Sequence, residues 1–292
     1  MKVANKKKLL TMTFSLFIFL VITILYPFLR FKLSSPSNNT TIDFPKIVGH
    51  RGAAGLAPEN TLASFKRALD LKVDYIELDL HVSADGELIV IHDSNVKRTT
   101  DGEGEIADMT LQQIKQLDAG SWFGPEFGSE KVPTFEEVLD LVNGQCKILV
   151  ELKWSKKGAY PSLVDKLLQL IQDRGVSDQL IIQSFERSYL EEITTSNNPV
   201  EIQQLIFGKS SILPIYFDTQ LRFGSFEPVA GITSLNMFYL YLNKGWVNTN
   251  EQLGFGTGVF TINDENDMKK AATFGADLII TDFPDKAIKI LR

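Results

Sequence analysis

From Ile42 onward, short β-rich apolar runs alternate with stretches whose apolar residues recur every three or four positions. The first pattern fits strands and the second amphipathic helices. It predicts strands near 47–50, 75–80, 88–92, 147–152, 179–184, 201–206, 257–262 and 277–281. Helices are expected near 60–71, 110–118, 134–143, 161–173, 187–195 and 264–274. Several carry start signals. Asn60 is placed to cap a helix with the apolar face Leu62, Phe65 and Leu69, and Thr110 with Gln113 and Thr134 with Glu137 fit capping boxes. Repeated strand–helix alternation implies a mainly parallel sheet with helices outside it. Eight strands within residues 44–292 favour closure into a TIM-type (β/α)8 barrel. Residues 94–132 interrupt the rhythm and read as a small insertion, while 210–250 resist assignment.

The chain before Ile42 follows another pattern. Lys6, Lys7 and Lys8 precede Leu9–Leu29, an uncharged stretch of 21 residues. As a helix it would run about 31 Å, enough for a hydrocarbon core of about 30 Å. Four lysines lie before it, and Arg30 and Lys32 follow. That bias predicts a cytoplasmic basic segment at 1–8, a single transmembrane helix at 9–29 and a linker at 30–43. The barrel is then anchored to the cell membrane on its extracytoplasmic side. The alternative is a cleaved signal peptide and a secreted barrel.

Hydrophobic residues make up 44% and charged residues 23%, an ordinary globular balance. A net charge of -6 argues against a nucleic-acid partner, which calls for a basic patch. The single cysteine, Cys146, forbids an intrachain disulfide and sits beside an apolar run, so it reads as a small core residue.

Polar groups gather at the C-terminal ends of predicted strands, the face that carries the active site in such barrels. His50 and Arg51 end the first strand, with Pro58-Glu59-Asn60-Thr61 following at a helix start. Glu77 and Asp79 lie two apart and so share one face of their strand. Asp85-Gly86 signals a two-residue hairpin, which sets residue n opposite 171 − n and Asp79 across from His92. Glu151 and Lys153 end the strand Ile148-Leu149-Val150. Singly, each is compatible with a hydrogen-bonded histidine, a solvated strand face or a surface ion pair. Together they cluster negative charge at one end of otherwise apolar strands, which is costly unless a cation or proton offsets it. His81 reads as structural.

In order, His50-Arg51-Gly52, Pro58-Glu59-Asn60-Thr61, Glu77-x-Asp79, Asp85-Gly86, His92-Asp93 and Glu151-x-Lys153 resemble the signature of glycerophosphodiester phosphodiesterases. Gln183-Ser184-Phe185 and Thr281-Asp282-Phe283-Pro284 extend the resemblance over essentially the whole barrel. The resemblance implies hydrolysis of a small-molecule glycerophosphodiester to sn-glycerol 3-phosphate and an alcohol. It implies one divalent cation, Ca2+ or Mg2+, on Glu59, Glu77, Asp79 and Glu151. His50 and His92 would be the general base and acid, and Arg51 and Lys153 would hold the phosphate. Phe185 and Phe260 would contact substrate, Phe260 standing where the family commonly has tryptophan. Alternatives are a phospholipase-type phosphodiesterase of the same superfamily and a non-catalytic surface binding protein. The aromatic run Met237–Tyr241 with Trp246 reads as packing, and Trp122, Phe123 and Phe127 read equally as packing or as a lip at the site.

Overall fold

The computed structural model describes residues 26, 29–34, 44–196, 200–209 and 215–292. The chain runs β1 (Lys46–Gly49), α1 (Leu62–Asp70), β2 (Tyr75–Val82), β3 (Leu88–Val90), α2 (Leu111–Ile114), α3 (Phe135–Val142) and β4 (Lys147–Leu152). It continues through α4 (Leu163–Arg174), β5 (Leu180–Ser184), α5 (Arg187–Thr195), β6 (Glu201–Ile206), β7 (Gly208–Lys209), β8 (Ile215–Phe217) and β9 (Leu221–Phe223). It ends with β10 (Ser234–Phe238), α6 (Lys244–Gln252), β11 (Gly256–Phe260), α7 (Glu265–Phe274), β12 (Leu278–Thr281) and α8 (Pro284–Leu291).

Eight parallel strands close on themselves in the order β1-β12-β11-β10-β6-β5-β4-β2, with β1 also pairing β2. This is the expected TIM-type barrel, with one exchange of strands. The run at 88–92 is not a barrel strand; it is β3, antiparallel to β2. The missing barrel strand is β10, inside the stretch that resisted assignment. Its inward Ser234 and Asn236 are polar, so the usual apolar signal is diluted.

Alternation along the strands sorts two environments. Ile76, Leu78 and Leu80 of β2 join Phe65, Phe135, Val138 and Leu167 in the layer between barrel and helices. Burying one such side chain fully is worth about 1.5–3 kcal/mol. Val48, Leu149, Ile181, Leu278 and Ile280 form a smaller cluster of their own. A polar layer runs in register around part of the barrel: Asp79 beside Glu151, Glu151 beside Gln183, and Gln183 beside Gln203. Asn236 Nδ2 donates to both Gln183 Oε1 (2.9 Å) and Gln203 Oε1 (2.8 Å), so this buried layer is hydrogen-bonded.

The capping boxes at Thr110 and Thr134 form as expected. The first helix differs. Thr61 is its cap, and Asn60, at φ 55°, turns its side chain into the barrel. The hairpin also differs. Leu80 faces Val90 and Val82 faces Leu88, so residue n opposes 170 − n, and Asp79 faces Ile91. The loop is Ala84-Asp85-Gly86, closed by Ser83 and Glu87, with Gly86 at φ 91°. The extra loop residue slips the register by one.

The insertion packs on its own core of Ile89, Ile91, Val96, Ile106, Ile114, Ala119 and Val132. Within the stretch read as linker, residues 30–33 are helical. Phe31 is 1% exposed, its ring edge-on to Tyr239 (5.5 Å) and Phe274 (5.8 Å). Lys32 pairs with Asp267, and Lys270 Nζ donates to the Phe31 carbonyl at 2.9 Å. Leu9–Leu29, expected to span the membrane, lies outside the described residues except for Tyr26 and Leu29. Among the described residues no helix is long and apolar enough to cross a membrane.

Candidate active site

Three of the four expected metal ligands converge. Carboxylate oxygens of Glu77, Asp79 and Glu151 lie within 4.8 Å of one another, all buried. The cause is the pleat: Glu77 and Asp79 share the inward face of β2, and Asp79 is in register with Glu151 on β4. Burial, then Asp79 and Glu151, push the Glu77 carboxyl well above the usual range. Burial pushes Asp79 the same way, but Lys153, His92 and Arg51 outweigh it and hold that carboxyl well below its usual value. Asp79 Oδ2 accepts from Asn60 Nδ2 at 2.7 Å. Its Oδ1 lies 3.0 Å from Lys153 Nζ without hydrogen-bond geometry.

Glu59, the fourth expected ligand, does not join this group. Its Oε1 accepts from Arg51 Nη1 at 2.6 Å, and Arg98 grips both its oxygens at 2.7 and 2.8 Å. Arg98 also reaches Asp93 Oδ2 at 2.6 Å. Burial raises the Glu59 carboxyl, but Arg98 and Arg51 more than reverse this. Arg98 had no signal in the sequence: it lies in the insertion, 39 residues from Glu59.

Both expected phosphate ligands reach the cluster. Lys153 Nζ lies 2.5 Å from Glu151 Oε1. Arg51 stands at φ 50°, an unusual conformation outside glycine, and its Nε lies 3.4 Å from Asp79 Oδ2 while its backbone N–H donates to Glu77 Oε2 at 2.9 Å. The next residue must be glycine. At φ 88°, a Cβ on Gly52 would come within 2.8 Å of the Phe65 backbone nitrogen.

Each histidine is tied to its own carboxylate. His50 Nδ1 lies 2.6 Å from Asp282 Oδ1, with Nε2 4.0 Å from Glu77 Oε2. Asn263 Nδ2 holds the other Asp282 oxygen at 2.6 Å. His92 Nδ1 lies 2.6 Å from Asp93 Oδ1. A carboxylate at Nδ1 selects the tautomer that leaves Nε2 free for proton transfer. Burial, then Arg51, lower the His50 pKa, which favours its neutral form.

His92, Glu151, Lys153, Phe185 and Phe207 line one cavity of about 540 Å³. Phe185 stacks on Phe207 with centroids 4.9 Å apart, and Phe260 meets Phe185 edge-on at 5.8 Å. Phe207 was not singled out in the sequence. It follows β6 outside any recognised motif and is 44% exposed. Cys146 packs against the main core, burial pushing its thiol up to about 11, which excludes a thiolate nucleophile at neutral pH.

Buried carboxylates, two histidine–carboxylate pairs and the cations Arg51 and Lys153 thus gather at one end of a TIM-type (β/α)8 barrel. The glycerophosphoryl diester phosphodiesterase family matches residues 50–286, and the chain belongs to it. It is 35% identical over 248 residues to a glycerophosphodiester phosphodiesterase of Caldanaerobacter subterraneus, covering 84% of this chain and 97% of that one. It is 33% identical over 273 residues to a glycerophosphodiester phosphodiesterase of Bacillus subtilis, covering 89% and 90%. Among solved structures, an Oleispira antarctica phosphodiesterase in complex with the product sn-glycerol-3-phosphate superposes with a TM-score of 0.74 at 27% identity, covering 85% of this chain and 97% of that one.

Proposed function

We propose that the protein hydrolyses glycerophosphodiesters to sn-glycerol 3-phosphate and an alcohol, with a divalent cation and a pair of histidines. The observation that carries this reading is the trio Glu77, Asp79 and Glu151 within 4.8 Å, on a barrel of this family. The product held by the Oleispira antarctica relative supports the substrate class.

The residues fit a hard cation. The donor set is all oxygen, Asp79 Oδ1 lacks a hydrogen bond, and burial together with the negative charge around it holds the Glu77 carboxyl up. Glu77, Asp79 and Glu151 would hold the ion, with Glu59 as the fourth ligand that the family resemblance implies. A bound Ca2+ or Mg2+ supplies charge neutralisation at the phosphoryl oxygens.

The chain's own groups do the rest. Arg51 and Lys153 bind the phosphodiester anion, and Phe185 and Phe260 flank its apolar parts. His50 Nε2 takes the proton of the glycerol 2-hydroxyl as that oxygen bonds to phosphorus. His92 Nε2–H protonates the alkoxide as its bond to phosphorus breaks. Water then opens the cyclic 1,2-phosphate with the histidines exchanging roles. An attacking group already in the substrate has a proximity advantage of roughly 7–11 kcal/mol when well oriented.

The test uses the full chain and a glycerophosphodiester. Excess chelator should abolish turnover without changing the circular dichroism, and Ca2+ or Mg2+ should restore it; equal activity in chelator sinks the cation. An analogue with hydrogen at the glycerol 2-position should bind without cleavage; cleavage near the normal rate sinks the cyclic step.

The barrel's place outside the cell, on a single-pass anchor at Leu9–Leu29 or after signal cleavage, belongs to the same proposal. The lysines before that stretch support it. Protease added to intact cells should remove the barrel; full protection would contradict it.

A further inference from the structure

His81 lies on β2 two residues beyond Asp79, on the same face of the strand, and is 1% exposed. Its two ring nitrogens are both engaged. Nε2 lies 3.0 Å from the His92 carbonyl oxygen, and Nδ1 lies 2.8 Å from the Tyr160 hydroxyl. A carbonyl oxygen can only accept, so Nε2 carries the proton. In the neutral imidazole Nδ1 is then an acceptor, and the Tyr160 hydroxyl donates to it. The Tyr160 ring stands edge-on to His81 at 5.7 Å and 83°, and its backbone N–H is bound in turn by the Tyr189 hydroxyl at 2.5 Å. A line of buried groups thus runs from α5 to the backbone of His92.

What this line holds matters because of where the chain is at that point. The β2–β3 ladder ends with Ile91, whose N–H donates to the Asp79 carbonyl at 3.1 Å. At His92 the chain leaves the sheet for the insertion. Asp93 fixes the rotation of the His92 ring, and Arg98 links Asp93 to Glu59 after β1, but these contacts run through side chains and leave the His92 carbonyl to His81. The His81 contact ties it to a barrel strand.

We infer that His81 is a positioning residue for His92: its Nε2–H holds the His92 carbonyl so that the free His92 nitrogen faces the leaving-group oxygen. The inference rests on the proposed role of His92 as general acid. A positioned acid matters for an alkyl alcohol, which leaves poorly without a proton, and much less for p-nitrophenol. A merely structural role would not distinguish the two.

The experiment measures first-step release from a glycerophosphodiester with an alkyl leaving group and from its p-nitrophenyl counterpart, on the full chain. His81→Gln keeps a donor near the Nε2 position, while His81→Asn keeps only the group near Nδ1. His81→Asn should lose about tenfold more on the alkyl ester than on the aryl ester, a fraction of the ~10²–10⁴ that a general acid contributes. His81→Gln should recover the alkyl activity to within about threefold. Equal losses on both esters, or no loss on either, would overturn the positioning role. If His81→Asn does not fold, Tyr160→Phe, which removes the group orienting the His81 ring, should show the same leaving-group dependence at smaller size; its absence overturns the inference. His92→Ala is the control. If it shows no leaving-group dependence, the acid assignment fails and the positioning with it; if it does and His81→Asn does not, only the inference fails.

Discussion

The two histidines sit in unlike parts of the molecule. His50 directly follows β1, a strand paired on both sides, and its carboxylate, Asp282, follows β12, the neighbouring strand. Its side chain is 16% exposed. His92 and Asp93 lie where the chain departs into the insertion, with side chains 31% and 33% exposed, and Arg98 steadies Asp93 from within that insertion. In the proposed mechanism the base is built into the barrel and the acid is carried on an attachment. The difference suits the proposed tasks: burial favours the neutral form a base needs, whereas the more open position leaves His92 accessible from the cavity.

Removing either ring tests whether both halves are needed. His50→Ala and His92→Ala should each lower kcat by about 10²-fold or more, the usual scale for one acid–base group. Circular dichroism should stay unchanged. A His92→Ala enzyme within threefold of the parent would remove the attachment from the chemistry.

The second way to break the comparison acts on the insertion's core. Ile106 is fully buried there, apart from the main core. Ile106→Ala should cost about 2–5 kcal/mol locally. Hydrogen exchange should accelerate across 89–132 while β4, β5 and β6 stay protected, and activity should fall. Uniform acceleration would show that the insertion and barrel open as one unit.

The smallest effect concerns pH. Burial and Arg51 lower the His50 pKa, and Asp282 opposes them. Protonated His50 cannot act as a base, so the acid limb of kcat/KM should lie below 6.5, the ordinary histidine value. Asp282→Asn removes the opposing anion, so the limb should move further down in pH, with a loss of about tenfold at neutral pH from lost orientation. Asp93→Asn should leave the acid limb in place. A limb that rises in Asp282→Asn would contradict the assignment of His50 as base.

The barrel side of this comparison was the more legible in sequence. Glu77 and Asp79 on β2 and Glu151 on β4 stand out as charges in otherwise apolar strands, with Lys153 just beyond β4, and the two-residue spacing sets the face each pair shares. The hairpin register differs from the expected one by one residue because Asp85-Gly86 closes a three-residue loop with Ala84, and nothing local distinguishes the two. The contacts of Glu59 with Arg98, and of His81 with Tyr160, join residues 39 and 79 apart and depend on closure of the whole barrel. β10 was hidden because it turns serine and asparagine inward, where the polar layer needs hydrogen-bonding groups rather than apolar bulk.

The pairing of β1 with β12 and the seat of Phe31 against Phe274 have a consequence for synthesis. Lys32 and Asp267 are 235 residues apart, so residues that leave the ribosome early find their partners among the last. At about 5–20 residues per second, that interval is roughly 10–50 s. Over that time β1 presents one open edge and Phe31 has no pocket, so the nascent barrel is most vulnerable to association with other chains while it is still being made.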